Sequence, residues 1–95
     1  MTLARYTDGW KIAANSRGRA EAQALDSLSR RLEGGGLVPV DLRALRLKKR
    51  GPNSWGVLAD VICETGARPA QDILDDLLRL QAIRRGDPVK PGRAT

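Results

Sequence analysis

The chain has 95 residues, a formal net charge of +6, one cysteine and no histidine. Cys63 alone closes no intrachain disulfide, and the chain offers no Cys/His set at metal-ligand spacing and no imidazole for Ser-His or Cys-His catalysis. Structural zinc, a disulfide scaffold and most hydrolase chemistry are thereby excluded, and no cofactor is expected.

Residues 1–16 carry no helical period. Asp8-Gly9 lies between short segments containing Tyr6, Trp10 and Ile12, which predicts a tight hairpin turn that docks against a helix through Tyr6, Trp10 or Ile12. From Arg17 to Glu33, residues Ala24, Leu25, Leu28 and Leu32 fall on one face at 100° per residue, predicting an amphipathic helix that Gly34-Gly35-Gly36 ends.

A second helix is expected from Asp41, as N-cap, to Arg50, with Leu42 and Leu45 inward and Gly51-Pro52 as its stop. A third would run from Asn53 or Ser54 to about Thr65, aligning Trp55, Leu58 and Ile62 on one face. That placement makes Trp55 a core residue and leaves Tyr6 and Trp10 as the better candidates for stacking on a base. Pro69 opens a fourth helix. Its apolar residues Ile73, Leu74, Leu77, Leu78, Leu80 and Ile83 span an arc of roughly 220°, wider than the stripe of a one-sided surface helix. Either this helix is central to the monomer or its outer arc, at Leu74 and Leu78, is an oligomer or partner interface; a homodimer is expected on the second reading.

The predicted fold class is therefore all-α. It is a compact bundle of about four helices with a short N-terminal hairpin, one domain over residues 1–86, and a flexible tail over 87–95 containing two prolines. The longest apolar stretches, such as Leu37 to Val40, are far short of the roughly 20 residues that span a bilayer. A soluble cytoplasmic protein with no signal peptide and no membrane partner is expected.

The charge is uneven: residues 37–51 carry net +4 and residues 52–80 net −3. Arginine outnumbers lysine 13 to 4, but GC-rich codons explain that ratio together with the abundant alanine and glycine, so it carries no argument about ligands. Clustering does. On the expected second helix, Arg43, Arg46 and Arg50 recur at i, i+3 and i+7 and form one strip, extended by Lys48 and Lys49. Such a strip suits the phosphates of a nucleic acid, whose counterions it would release, with Arg17 and Arg19 as secondary contacts. The bland alternative is a solvated helix face whose C-terminal cations favour the macrodipole.

Between Leu58 and Leu78 a helix, a turn at Gly66 and a second helix resemble the helix-turn-helix DNA-binding family, whose second helix enters the major groove. Asp72, Asp75 and Asp76 on the exposed face of that helix would repel phosphates, so the family's function does not carry over. Asp72 and Asp76 at i, i+4 are too few ligands for a catalytic metal. The expectation is a small basic, non-catalytic accessory or regulatory protein that binds nucleic acid. Its rival is a phage- or plasmid-type protein-binding inhibitor or adaptor acting through the broad Leu face or the acidic last helix.

Overall fold

A computed structural model describes residues 2–86; the expected tail at 87–95 lies outside the described residues. The element order is β1 (Leu3–Ala13), α1 (Arg17–Gly34), β2 (Leu37–Gly51), β3 (Ser54–Thr65) and α2 (Ala70–Arg84). The three strands form one antiparallel sheet in the order β1-β3-β2. The all-α bundle is therefore overturned: two of the four expected helices are strands, and the chain has a mixed α/β fold.

The two helices that form are those with an unambiguous helical stripe. Ser16 caps α1, its hydroxyl accepting from the Arg19 N–H at 3.2 Å, and Ala20, Ala24, Leu25, Leu28 and Leu32 are buried. After the helix the backbone reverses at Gly36, whose φ of +68° is a conformation that glycine adopts at low steric cost. Pro69 is the N-cap of α2, and Ile73, Leu77 and Gln81 form its buried i, i+4, i+8 line. The broad apolar arc divides. Leu74 packs against the core, whereas Leu78 and Ile83 are exposed.

The expected second helix is β2, and its disguise has a structural cause. Register shifts between Pro39 and Asp41 and between Leu42 and Ala44 insert extra residues into the strand. Pro39, Leu42 and Leu45, three apart, therefore all face the core, where an unbroken strand would alternate them. Bulges converted a period of two into helical spacing. Pro39 is also tolerated because β2 is an edge strand.

In β3 the alternation is regular: Trp55, Val57, Ala59, Val61 and Cys63 are buried, while Leu58 faces the other way and is exposed. Trp55 is thus a core residue, its Nε1–H donating to the Ala14 carbonyl at 3.1 Å, but Leu58 does not share its face. The helix-turn-helix resemblance falls with this strand.

The expected hairpin at Asp8-Gly9 is also absent, since β1 runs straight through it and pairs with β3 along its whole length. Asp8 is held on the helix side, accepting from the Tyr6 hydroxyl, the Gly9 N–H and Arg31, each at 2.8 Å. An inward-pointing carboxylate is one of the devices that blunt an exposed sheet edge. Tyr6, Trp10 and Ile12 pack against the core from this edge strand.

Both helices lie on one face of the sheet. Their leucines, with Ile73, meet Leu42, Leu45, Val57, Val61 and Cys63 to form the main core. The opposite face bears no helix among the described residues. No helix among the described residues is long and apolar enough to cross a membrane.

Candidate nucleic-acid interface

Side chains of residues paired across an antiparallel sheet point to the same face, so the register defines what the open face presents. Nearest the β2–β3 turn, Lys11, Gly56 and Lys48 stand in one cross-strand row; Gly9, Leu58 and Arg46 form the next. Farther on come Thr7, Asp60 and Ala44, then Arg5, Ile62 and Asp41.

These rows divide the face electrostatically. In the far half the charges neutralise one another: Arg5 holds Asp60 through two hydrogen bonds of 2.9 and 2.7 Å, and Arg43 lies 3.9 Å from Asp41. The Arg5 hydrogen bonds are the main reason the Asp60 carboxyl is held below its ordinary range, with the Arg5 and Arg43 charges adding to the effect. In the half beside the turn, Lys11, Arg46, Lys48 and Arg50 are exposed and form no ion pair among the described residues. Between them lies a shallow depression of about 300 Å³ with Gly9, Gly56 and Leu58 in its lining.

The glycines matter to its shape. A Cβ at Gly9 would come within 2.9 Å of Leu58 Cδ2, and one at Gly56 within 3.2 Å of Arg50 Nε. The floor of the cationic half is consequently bare backbone and one exposed leucine, walled by long basic side chains.

The predicted strip is thus partly regrouped. The register places Arg46 and Lys48 on one face and brings Lys11 to them from β1, a partner that helical spacing did not reveal. Arg50, inserted at a register shift between Lys49 and Gly51, joins them because its side chain lies over Gly56. Arg43 is an inserted residue committed to the mixed half. Lys49 pairs in register with Trp55 and so belongs to the helix-covered face. Arg17 and Arg19 occupy the first turn of α1, which has no acidic residue. That turn begins beside the β2–β3 turn, where the Ala14 N–H donates to the Asn53 carbonyl at 3.1 Å. Lys11 was legible only as the cation next to Trp10, and alternation along Tyr6-Thr7-Asp8-Gly9-Trp10-Lys11 was the signal that would have placed it.

All three aromatic side chains lie behind the sheet. Tyr6 donates to Asp8, Trp55 is buried, and Trp10 lies beneath Arg31. Tyr6 and Trp10, the expected stacking residues, are therefore turned away from the cationic face.

The acidic helix α2 is also largely committed. Asp76 pairs with Arg68 and with Arg79, Asp72 lies 3.9 Å from Arg68, and Asp75 accepts from Gln71. Leu74 and Leu78, expected as one interface, are separated by burial: the first is half-buried against the core and the second is exposed. No group of three or more His, Cys, Asp or Glu side chains suited to a metal ion occurs among the described residues.

No family model matches the chain, and neither does any curated protein or solved structure.

Proposed function

We propose that this is a small non-catalytic accessory or regulatory protein that binds nucleic acid through the cationic half of its open sheet face. Lys11, Arg46, Lys48 and Arg50 supply the positive charge that faces the polyanion. The observation that carries the reading is the segregation of charge. Arg5, Arg30, Arg31, Arg68, Arg79 and Arg85 are matched to carboxylates, whereas these four cations surround a depression with no carboxylate in its lining. Unpaired like charges gathered on one face repel each other and raise the local potential, and a polyanion relieves that repulsion by displacing counterions.

The rival reading, a protein adaptor acting through acidic α2, is less well supported because its three aspartates already have partners. Location in the cytoplasm and a homodimer through Leu78 remain part of the proposal.

Fluorescence anisotropy with labelled DNA and RNA at several salt concentrations tests the reading. Saturable binding is expected, with log K falling against log salt at a slope of about −3 to −4 if three or four of these cations hold one phosphate each. Arg46→Glu with Lys48→Glu and Arg50→Glu abolishes it while the circular dichroism spectrum stays native, because all three side chains are exposed. Unchanged affinity in the triple variant refutes the site.

A further inference from the structure

Arg50 differs from the other cations of the face in where its side chain goes. The three atoms nearest to a Cβ added at Gly56 would all belong to Arg50: Nε at 3.2 Å, Nη2 at 3.8 Å and Cγ at 3.9 Å. The guanidinium thus lies over the middle strand, in the space that a side chain at position 56 would fill. Lys11 and Lys48 rise from the outer strands on either side of the same row, about 9.6 Å apart at Cα for strands spaced about 4.8 Å. A planar, five-donor group therefore sits on the midline, between two ammonium groups on the flanks.

Three modes of nucleic-acid binding make different demands on such a face. Single strands are held by bases stacked on aromatic platforms, and all three aromatics of this chain lie on the other side of the sheet. Duplex RNA has a major groove too deep and narrow for side chains to read. The major groove of B-DNA is about 12 Å wide and admits a two-stranded β-ribbon; β-sheet readers place strands in a groove, and the Cα separation of the outer strands here falls within the major-groove width. Its phosphate walls would meet the flanking lysines and its base edges the midline. There a guanidinium makes the commonest sequence-specific contact, bidentate to O6 and N7 of guanine.

Building on the nucleic-acid reading above, we infer that the open face enters the major groove of double-stranded DNA and that Arg50, laid across Gly56, is the base-reading residue, specific for guanine. Lys11, Arg46 and Lys48 position the sheet on the phosphates. Gly56 is a positioning residue, since its missing side chain is what lets Arg50 reach the midline.

Two variants separate reading from charge. Gly56→Val leaves every charge in place and displaces Arg50; Arg50→Ala removes the guanidinium. Sites are first selected from a random duplex library with the natural protein, and affinities for the selected duplex, its G·C-to-A·T variants, its single strands and a duplex RNA of equal length are then measured against salt. The selected sites are expected to share a fixed guanine, whose replacement costs roughly 5- to 150-fold in affinity for the natural protein.

Both variants should lose that preference. The salt slope should be unchanged in Gly56→Val, and in Arg50→Ala it should move by less than the roughly 0.9 expected for one lost phosphate contact. If Gly56→Val does not fold, as read by circular dichroism, Arg50→Ala alone decides. Single strands or duplex RNA bound as tightly as the duplex DNA, sites without a fixed guanine, or variants that retain the preference overturn the inference while leaving nucleic-acid binding intact. Absence of salt-sensitive binding to every nucleic acid refutes the proposed function itself, and this inference with it.

Discussion

The guanidinium of Arg31, on α1, lies 4.3 Å from the centroid of the Trp10 ring on β1, and its Nη1 donates to Asp8 Oδ2 at 2.8 Å. One side chain thus ties the first helix to the edge strand both through a ring face and through an ion pair. A cation over a tryptophan at a partly exposed site contributes about 0.5–1 kcal/mol, and an exposed ion pair a similar amount. Arg31→Ala is expected to lower unfolding stability by about 1–2 kcal/mol in urea titrations, and Arg31→Lys to recover part of it. Trp10→Phe should cost little beyond the weaker ring contact, because the buried Trp10 Nε1 has no acceptor among the described residues.

Cys63 sits on the covered face of β3, fully buried beneath the helices, and that burial pushes its thiol up to about 11 from 9.0. A thiolate is the reactive form, so a disulfide reagent at pH 8 should label the native protein far more slowly than the unfolded chain. The labelling rate then reports opening of the core. The linkage has a definite sign. Because the folded value is the higher one, the stabilisation from keeping the thiol neutral is intact below about pH 9 and declines as pH rises toward 11. Cys63→Ala should lack that alkaline decline in denaturant titrations.

How much of this was legible in the sequence varies with the kind of pattern. Helix α1 was readable because Ala24, Leu25, Leu28 and Leu32 have no competing interpretation, and α2 because Ile73 and Leu77 follow a proline cap. Strand β3 was misread because its buried set, Trp55 to Cys63, alternates while Leu58 and Ile62 on the other face complete a spurious 55/58/62 helical line. Strand β2 was hidden more deeply. A bulge is set by three-dimensional strand pairing, and the inserted Val40 and Arg43 gave its core residues a spacing of three. The Asp8-Gly9 turn signal was overridden by Tyr6 and Arg31, which hold the Asp8 carboxylate and keep β1 extended. At the candidate site the clustering of basic residues could be seen, but the grouping depended on period: a helix joins Arg43 to Arg46 and Arg50, a strand joins Lys48 to Arg46. Lys11 is brought in only by the sheet.

Adjacent residues of α2 should respond oppositely to the same change. Leu77 is fully buried and Leu78 is 49% exposed. Leu77→Glu buries an unpaired carboxylate, a change that costs several kcal/mol and should unfold a domain of this size. Leu78→Glu should leave the thermal midpoint within a few degrees of the natural value. Analytical ultracentrifugation of the Leu78→Glu protein then tests the expected homodimer: conversion of a dimer to a folded monomer places Leu78 in that interface, and an unchanged sedimentation coefficient removes it.

Acid should weaken the β1 edge first. The Asp8 carboxyl is held below its ordinary range, chiefly by the hydrogen bond from the Tyr6 hydroxyl, with the Gly9 N–H and Arg31 adding to it; Asp60 is lowered by Arg5. A folded value below the unfolded one, about 3.9 for aspartate, means that the unfolded chain binds more protons. The stabilisation is therefore present above about pH 4 and is lost as pH falls through the folded values. Thermal midpoints measured from pH 6 down to pH 2.5 should fall more steeply for the natural protein than for Asp8→Asn with Asp60→Asn, with the two curves converging at the acid end.

The first turn of α1 opposes stability and polyanion binding to each other. Ser16 caps the helix and Arg19 is the third residue after it, the position at which a glutamate would complete a reciprocal capping box. The chain instead places Arg17 and Arg19 at the positive end of the helix dipole, an arrangement that is unfavourable by roughly 0.3–1 kcal/mol per charge. Arg19→Glu should therefore raise the unfolding free energy by about 1 kcal/mol, since it removes the repulsion and adds a hydrogen bond to the Ser16 N–H. The same change places a carboxylate at the end of the molecule where the β2–β3 turn carries Lys48 and Arg50. If a polyanion reaches around that end to the helix, Arg19→Glu weakens binding and flattens the salt slope by more than the roughly 0.9 of one phosphate contact while the melting temperature rises. A gain in stability with unchanged affinity confines the footprint to the open sheet face, and a loss of stability refutes the capping argument.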